Sequence, residues 1–480
     1  MILHNIRCIV DICGMQLDDI KKSFDELIEG EARLRNTDYK ERVKLLSGLE
    51  RALLLSKDEL FQALLADFGK PVFESNYSEL YLSLAAIRKA KKNLKSWMTP
   101  QRVSAQMSVF GSKAWVIPES KGLSLIISPW NFPVMLAIGP LASALAAGCS
   151  VAIKPSEQTP ACSAYIKKLI ESCFSASEVQ VIEGDAEASK ALLSLPFKHI
   201  FFTGSTAVGK LIMQAASKHL STVTLELGGK SPLIVTGKVN LKDAARRIVF
   251  SKWLNAGQTC IAADTIYVDA QLHNELMLEI KAVAEELYNS EETFTEYSSI
   301  VNPHHWNRLK SIVSDAKSRD GEVLYASRED EKNMKFGLQV ISCEDSDAKL
   351  RQEELFGPIL SVVKIQSIEE AITAINSSPT PLSLYIFTKS KSIQKRLLRE
   401  IPSGSVGIND VLGQFYHEDM GFGGLHSSGM GKSHGHDGFK AFSHEKSVLK
   451  RTLSLNWMEL AFPPYTSVKK KIANFVVRHL

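Results

Sequence analysis

Between residues 18 and 97, apolar positions recur every third or fourth residue, through ERVKLLSGLERALLLSKDELFQALLADFG and again through ELYLSLAAIRKAKKNLKSWM. That is the period of helices with one face on a core. Gly69-Lys70-Pro71 divides the two runs, since Gly followed by Pro stops a helix. From Gln101 to Pro118 apolar and polar residues alternate, through QRVSAQMSVF and SKAWVIP, which predicts short strands around Gly111.

Beyond residue 120 the pattern changes to continuous apolar runs alternating with helices. LSLIISP (123–129) reads as a strand, MLAIGPLASALAAG as a helix ending at Gly148, SVAIKP (150–155) as a strand and PACSAYIKKLIESCF as a helix. VQVIEG, HIFFTG and TVTLELGG follow as further strands. The alternation resumes after residue 230 with helix DAARRIVFSKWLNAG, strand TIYVD, helix LHNELMLEIKAVAEELYN, and strands near 359–365 and 383–387. Apolar strands alternating with helices predict parallel sheets covered on both faces, hence two α/β domains in series. GFGGLHSSGMGKSHGHDG (421–438) reads as an ordered loop.

Composition narrows this little. At 480 residues the chain is too long for one core, and 45% hydrophobic with 23% charged residues is an ordinary globular profile. A net charge of +4 is too weak to argue for nucleic acid or a membrane as the main partner, and no nucleic acid is expected. Seven scattered cysteines without a CxxC fit reduced thiols in a cytoplasmic setting. No apolar run is long enough to span a membrane, and Arg7 and Asp11 break the N-terminal stretch, against a signal peptide. The basic, amphipathic tail VKKKIANFVVRHL is expected to pack on its own protein, with a membrane surface as the alternative.

Individual motifs are ambiguous. FFTGSTAVGK (201–210) is a strand, a turn and a helix start, with Gly204 and Gly209 separated by four residues; it is either a phosphate-binding turn or a plain one. IKPSE puts Lys154 at a strand end, where nucleotides bind in open parallel sheets, with Glu157 three residues on, or it is a capped helix start. Asn131 in SPWNFP is either an oxyanion donor or a turn asparagine. Glu226, between two leucines in TLELGGKSP, has the raised pKa of a general base if buried. Glu354 and Phe356 precede a Gly-Pro turn in EELFGPI. His426, His434 and His436 lack the spacing of a metal site, so no metal is expected. NAGQTC leaves Cys260 a lone thiol among small and polar residues.

Taken together and in order, PWNFP, KPSE, TGSTAVGK, LELGGKSP, NAGQTC, EELFGP and the FGG–SGMG segment resemble the aldehyde dehydrogenase superfamily. The resemblance covers about residues 120 to 450, is of the class 3 type, and lies nearest the bacterial coniferyl aldehyde branch through IND (408–410) and HEDMGFGG with SGMGKSHGHDGF. It implies Cys260 as nucleophile, forming a thiohemiacetal and then a thioester, Asn131 with the Cys260 backbone N–H as the oxyanion hole, and Glu226 as the base that activates water. An ordinary thiol is only a few per cent ionised near neutrality, so Cys260 needs an activating setting. For the cofactor, NAD with NADP also accepted, the resemblance implies Lys154 and Glu157 at the adenosine ribose and Gly204 and Ser205 beside the pyrophosphate. Thr203, Gly209, Leu227 and Gly228 are further cofactor residues, with Glu354 and Phe356 at the nicotinamide ribose.

The implied fold is α/β: a Rossmann-variant NAD(P)-binding domain (15–100 and 119–226), a catalytic α/β domain (227–414), an oligomerisation arm (101–118 and 415–450) and a tail (451–480). A homodimer is expected, acting on an aromatic aldehyde such as coniferyl aldehyde or on a medium- or long-chain aliphatic one. Gly421 and Ala263 stand where the family usually has Pro, and LGQFYHEDM (412–420) matches poorly in its first half, near the expected substrate mouth. These departures bear on the substrate. Two rivals remain. One is a CoA-acylating semialdehyde dehydrogenase, which Glu226 argues against. The other is a catalytically inactive structural protein, which the intact Cys260, Glu226 and Asn131 argue against.

Overall fold

The computed structural model describes residues 2–104, 109, 111–453 and 462–479, with side chains from 17 to 478. Part of the expected arm strand QRVSAQMSVF, residues 105–108 and 110, lies outside the described residues. Five helices open the chain: Ile2–Arg35, Tyr39–Leu55, Lys57–Phe68, Val72–Ser75 and Tyr81–Met98, the last two joined by a π-helical turn over Asn76–Leu80. The second begins at a capping box: Asp38 accepts from the Glu41 N–H, and the Glu41 carboxylate accepts from the Asp38 N–H. The third ends at Gly69, whose φ of 60° suits glycine.

In chain order the strands are β1 (Gln101–Val103), β2 (Ser112–Ser120), β3 (Ser124–Ile127), β4 (Val151–Lys154), β5 (Val179–Val181), β6 (His199–Gly204) and β7 (Thr222–Leu227). Then follow β8 (Leu233–Val235), β9 (Thr265–Asp269), β10 (Glu322–Ala326), β11 (Gln339–Ser342) and β12 (Ile359–Ile365). The last are β13 (Ser383–Phe387), β14 (Ser405–Ile408), β15 (Gly429–Met430) and β16 (Ser443–Arg451).

They form three sheets. One is six-stranded, in the order β15-β7-β6-β3-β4-β5, parallel except for β15. A second is seven-stranded, β10-β11-β12-β9-β8-β13-β14, parallel except for β10. The third, β1-β2-β16, is antiparallel, with nine residue pairs between β2 and β16.

The unbroken apolar runs follow from burial on both faces. Along β3, Leu125 and Ile127 pack with Phe24 and Phe197, whereas Ile126 between them packs with Ile138 and Leu141 of the helix Met135–Ala147. The strands Val151–Lys154, His199–Gly204 and Thr222–Leu227 carry Lys154, Gly204 and Leu227 at their C-terminal ends, the edge where open parallel sheets bind ligands. The two residues of β15 return the Gly/His-rich segment to the free edge of β7, where Gly429 lies opposite Glu226.

At the C-terminus, the tail forms a helix over Ser467–His479. Val468 and Val477 are exposed, Val477 by 84%, so packing of this helix on its own chain does not cover them. Among the described residues, no helix is long and apolar enough to cross a membrane.

Candidate active site

The helix Leu241–Trp253 stops in a turn where Asn255, Ala256 and Gly257 all have positive φ, at 52°, 52° and 68°. A side chain at Gly257 would lie 2.5 Å from the Gly357 carbonyl oxygen, so only glycine fits there. Two left-handed non-glycine residues in succession are costly, and the turn persists because buried hydrogen bonds hold it. The Asn255 N–H donates to Glu74 Oε1 at 2.8 Å. Gln258 Nε2 donates to the carbonyls of Asn255 and Ser299, and Gln258 Oε1 accepts from the Val301 N–H. Two residues later comes Cys260, its carbonyl accepting from Ser231 Oγ at 3.2 Å.

Asn131, 3% exposed, is tied to the same turn: its Nδ2 donates to the Gln258 carbonyl at 3.1 Å, and its own carbonyl accepts from Asn255 Nδ2 at 2.7 Å. An amide nitrogen carries two hydrogens, so Asn131 can serve a second acceptor.

Cys260 and Glu226 line one cavity, whose walls are apolar side chains that include Leu82, Phe132, Met135, Phe415 and Phe422. The setting does not activate the thiol. Burial, and then the carboxylates of Glu354 and Glu226, push it up to about 12, against the smaller pull of the Cys260 and Ile261 backbone N–H groups. The small neighbours in NAGQTC give room and turn geometry and supply no positive charge. Glu226 projects from β7 with neither carboxylate oxygen hydrogen-bonded, and burial holds its carboxyl well above the usual range, opposed in part by Ser433. The site therefore pairs a neutral thiol with a carboxyl that, once ionised, is a stronger base than an ordinary carboxylate.

The expected cofactor residues gather along the adjacent strand ends. Lys154, 2% exposed, donates to Glu157 Oε2 at 2.8 Å, so the two form an ion pair with each other. Ser205 caps the helix Thr206–Ser217, accepting from the Val208 N–H, with Thr203 and Gly204 just before it. Gly209 lies inside this helix, where a side chain would come 2.7 Å from Leu227 Cδ2, so its smallness lets the helix pack on β7. At Gly228 a side chain would lie 2.1 Å from Glu354 Oε2, so this glycine makes room for that carboxylate. Burial raises the Glu354 carboxyl to about 7, and its Oε1 has no hydrogen-bond partner. Phe356, at φ 41°, sets its ring edge-on to Trp130 at 5.2 Å. His434 is half-buried, edge-on to Phe415, and desolvation pushes it down to about 4, and His436 stacks on Trp97 at 5.7 Å.

Several positioning residues were not singled out by the motifs, Lys230 within LELGGKSP among them. Arg308 donates to the carbonyls of Glu354 and Leu355, Lys230 to that of Glu353, and the buried Lys252 to that of Gly357, so three cations hold the EELFGP loop by its backbone. On the other side, Glu79 accepts the N–H groups of Val134 (3.2 Å) and Met135 (2.8 Å) just beyond Asn131 and pairs with buried Lys70. Glu74 and Glu79 thus brace the two loops that carry Cys260 and Asn131. The one sequence signal for them was two acids within an amphipathic helix run, which ordinarily means a solvated face.

Residues 5–448 match the aldehyde dehydrogenase family. The chain is 38% identical to the 4,4'-diaponeurosporen-aldehyde dehydrogenase of Staphylococcus aureus, over 91% of this chain and 95% of that protein. It is also 38% identical to a probable coniferyl aldehyde dehydrogenase of Pseudomonas aeruginosa, over 92% of this chain and 93% of that one. A solved substrate-bound Staphylococcus aureus AldH superposes with a TM-score of 0.91 at 36% identity, covering 95% of this chain and 99% of that one.

Proposed function

The chain belongs to the aldehyde dehydrogenase family, and from that premise we propose that it oxidises an aldehyde with an apolar body to the carboxylic acid, with Cys260 as nucleophile. The observation that carries this reading is the shared cavity: the thiol of Cys260 and the orphaned carboxyl of Glu226 line the same apolar space. NAD is the cofactor, with NADP also accepted, and when bound it supplies the acceptor for the hydride.

The residues present fit that group. Glu354 Oε1 is an unpaired buried oxygen suited to a ribose hydroxyl. Ser205 sits at a helix N-terminus suited to a pyrophosphate. Glu157 can accept from the adenosine ribose hydroxyls while Lys154 holds it in place.

The Cys260 thiol releases its proton to solvent, and Sγ adds to the carbonyl carbon. The Asn131 amide and the Cys260 N–H stabilise the resulting oxyanion; one such donor is worth roughly 3–4 kcal/mol. Once the hydride has left that carbon, the acyl group remains as a thioester on Cys260. Glu226 then draws a proton from water, whose oxygen attacks the thioester; the tetrahedral adduct expels the Cys260 sulfur, which takes that proton back, and the acid is freed. An orphaned base beside the thiol favours water over CoA as the acceptor.

The apolar walls support an aromatic or medium- to long-chain aliphatic substrate. The protein is a homodimer: β16 runs nine residues along the edge of its small sheet, with an exposed side open to pairing. The described cysteines are free thiols, which supports a reducing, cytoplasmic compartment. A panel of aromatic and straight-chain aldehydes, followed as NADH appearance with NAD and then NADP, tests the reading. Turnover is expected with apolar aldehydes and is faster with NAD; no NADH from any of them overturns it.

A further inference from the structure

The substrate cavity has one feature its apolar walls do not explain. Besides Glu226, a second carboxylate, Glu418, lines it, just after the part of 412–420 that departs from the family pattern. Its Oε2 is buried without a hydrogen-bond partner. Lys89, whose charge acts on Glu418, is itself bonded to Asp419. A buried acceptor left unpaired costs about 1–3 kcal/mol, so a well-packed apolar cavity gains nothing from holding one unless something else completes it.

The position of Glu418 along the cavity follows from the helix Tyr81–Met98, which forms one wall through Leu82, Ala86, Ala90 and Trp97. Leu82 belongs to the core group against which Cys260 packs, whereas Ala90 and Trp97 belong to another. Leu82 to Ala90 spans roughly 12 Å at the rise of an α-helix. Lys89, next to Ala90, pairs with the neighbour of Glu418, which sets Glu418 about two helical turns away from the catalytic end.

We propose that Glu418 is the polar stop of the substrate channel, hydrogen-bonding a hydroxyl on the end of the aldehyde remote from its carbonyl. This rests on the reading that Cys260 attacks the aldehyde in that cavity. A hydroxyl is favoured over an ammonium because it must pass apolar walls on entry, and a lone cation loses far more solvation there than an alcohol does. A site that bonds a substrate hydroxyl also rejects the analogue lacking it, since its own buried group is then left unpaired.

The test is kcat/KM for straight-chain aldehydes of increasing length, each supplied plain, with a terminal hydroxyl and with a terminal amine. The wild-type enzyme is expected to prefer the hydroxylated aldehyde by at least about tenfold at the length that reaches Glu418, and to show no preference at shorter lengths. Glu418→Leu should reverse the order, improving the plain aldehyde and impairing the hydroxylated one. Glu418→Gln, which keeps an acceptor, should retain part of the preference. A loss shared equally by both substrates in Glu418→Leu means a structural role and overturns the proposal. So does a wild-type enzyme without a length-dependent hydroxyl preference, or one that favours the amine. The wild-type series decides the matter even if the variants fail to fold. No NADH from any aldehyde overturns the parent reading and this one with it; turnover without the preference overturns this one alone.

Discussion

Glu74 Oε1 accepts the backbone N–H of Asn255 at 2.8 Å, linking a buried acid in the N-terminal helices to the left-handed turn that presents Cys260. Its other oxygen accepts from Ser298 Oγ at 3.3 Å, and one turn further on Glu79 holds the backbone beyond Asn131. Glu74→Ala strips the partner from a buried N–H, at a cost of about 1–3 kcal/mol. It also loosens the nucleophile, where a displacement of an ångström can cost on the order of 10²-fold in rate. The expected result is a kcat fall of that order with KM for NAD little changed, together with a lower thermal midpoint. Glu74→Gln keeps an acceptor oxygen and should recover most of kcat. Equal rates for Glu74→Ala and wild type would show that the turn does not depend on this bond.

Glu226 gives a pH signature. Its folded-state pKa is raised by burial, so the folded protein holds this proton at pH values where the unfolded chain has lost it. The associated stability is complete below the ordinary carboxylate range and is lost as pH rises toward the folded-state value. Glu226→Gln removes that loss. Its thermal midpoint should exceed that of wild type by a margin that widens with pH from about 4.5 upward, while steady-state turnover falls by on the order of 10²–10⁴-fold. Thermal scans across pH check this, and a constant difference would contradict the burial assigned to this carboxyl.

Cys260 is held protonated by burial and by Glu354 before Glu226. Removing the Glu354 charge favours the thiolate, so Glu354→Gln should react faster with iodoacetamide at mildly alkaline pH, as read by mass spectrometry of the Cys260 peptide. Slower or unchanged labelling would mean that the charge of Glu354 does not reach the thiol.

The sequence made the α/β alternation and most of the chemistry-bearing positions legible, because buried parallel strands and glycine-dependent turns leave local marks. The helix through MLAIGPLASALAAG ends at Gly148 with φ 82°, as its apolar run and terminal glycine predict. The strands Leu233–Val235, Glu322–Ala326 and Gln339–Ser342 were not read from the sequence, although strands as short as Val179–Val181 and Thr265–Asp269 were. The bracing of the site was hidden for a physical reason. Lys70, Glu74 and Glu79 are buried against each other and against backbone N–H groups 55 to 181 positions away, and local pattern carries nothing of such partners. The same limit explains the thiol. NAGQTC displays its small neighbours, whereas the two carboxylates that keep it neutral come from residues 226 and 354.

The central claim is a covalent acyl group on Cys260 that water removes with the help of Glu226. Glu226→Gln, mixed with NAD and an excess of a good aldehyde and quenched in acid, traps it most directly. The expected result is a burst of about one NADH per active site and a mass increase, equal to that of the acyl group, on the peptide containing Cys260. A burst without that adduct, an adduct on another residue, or full turnover with no accumulation would contradict it.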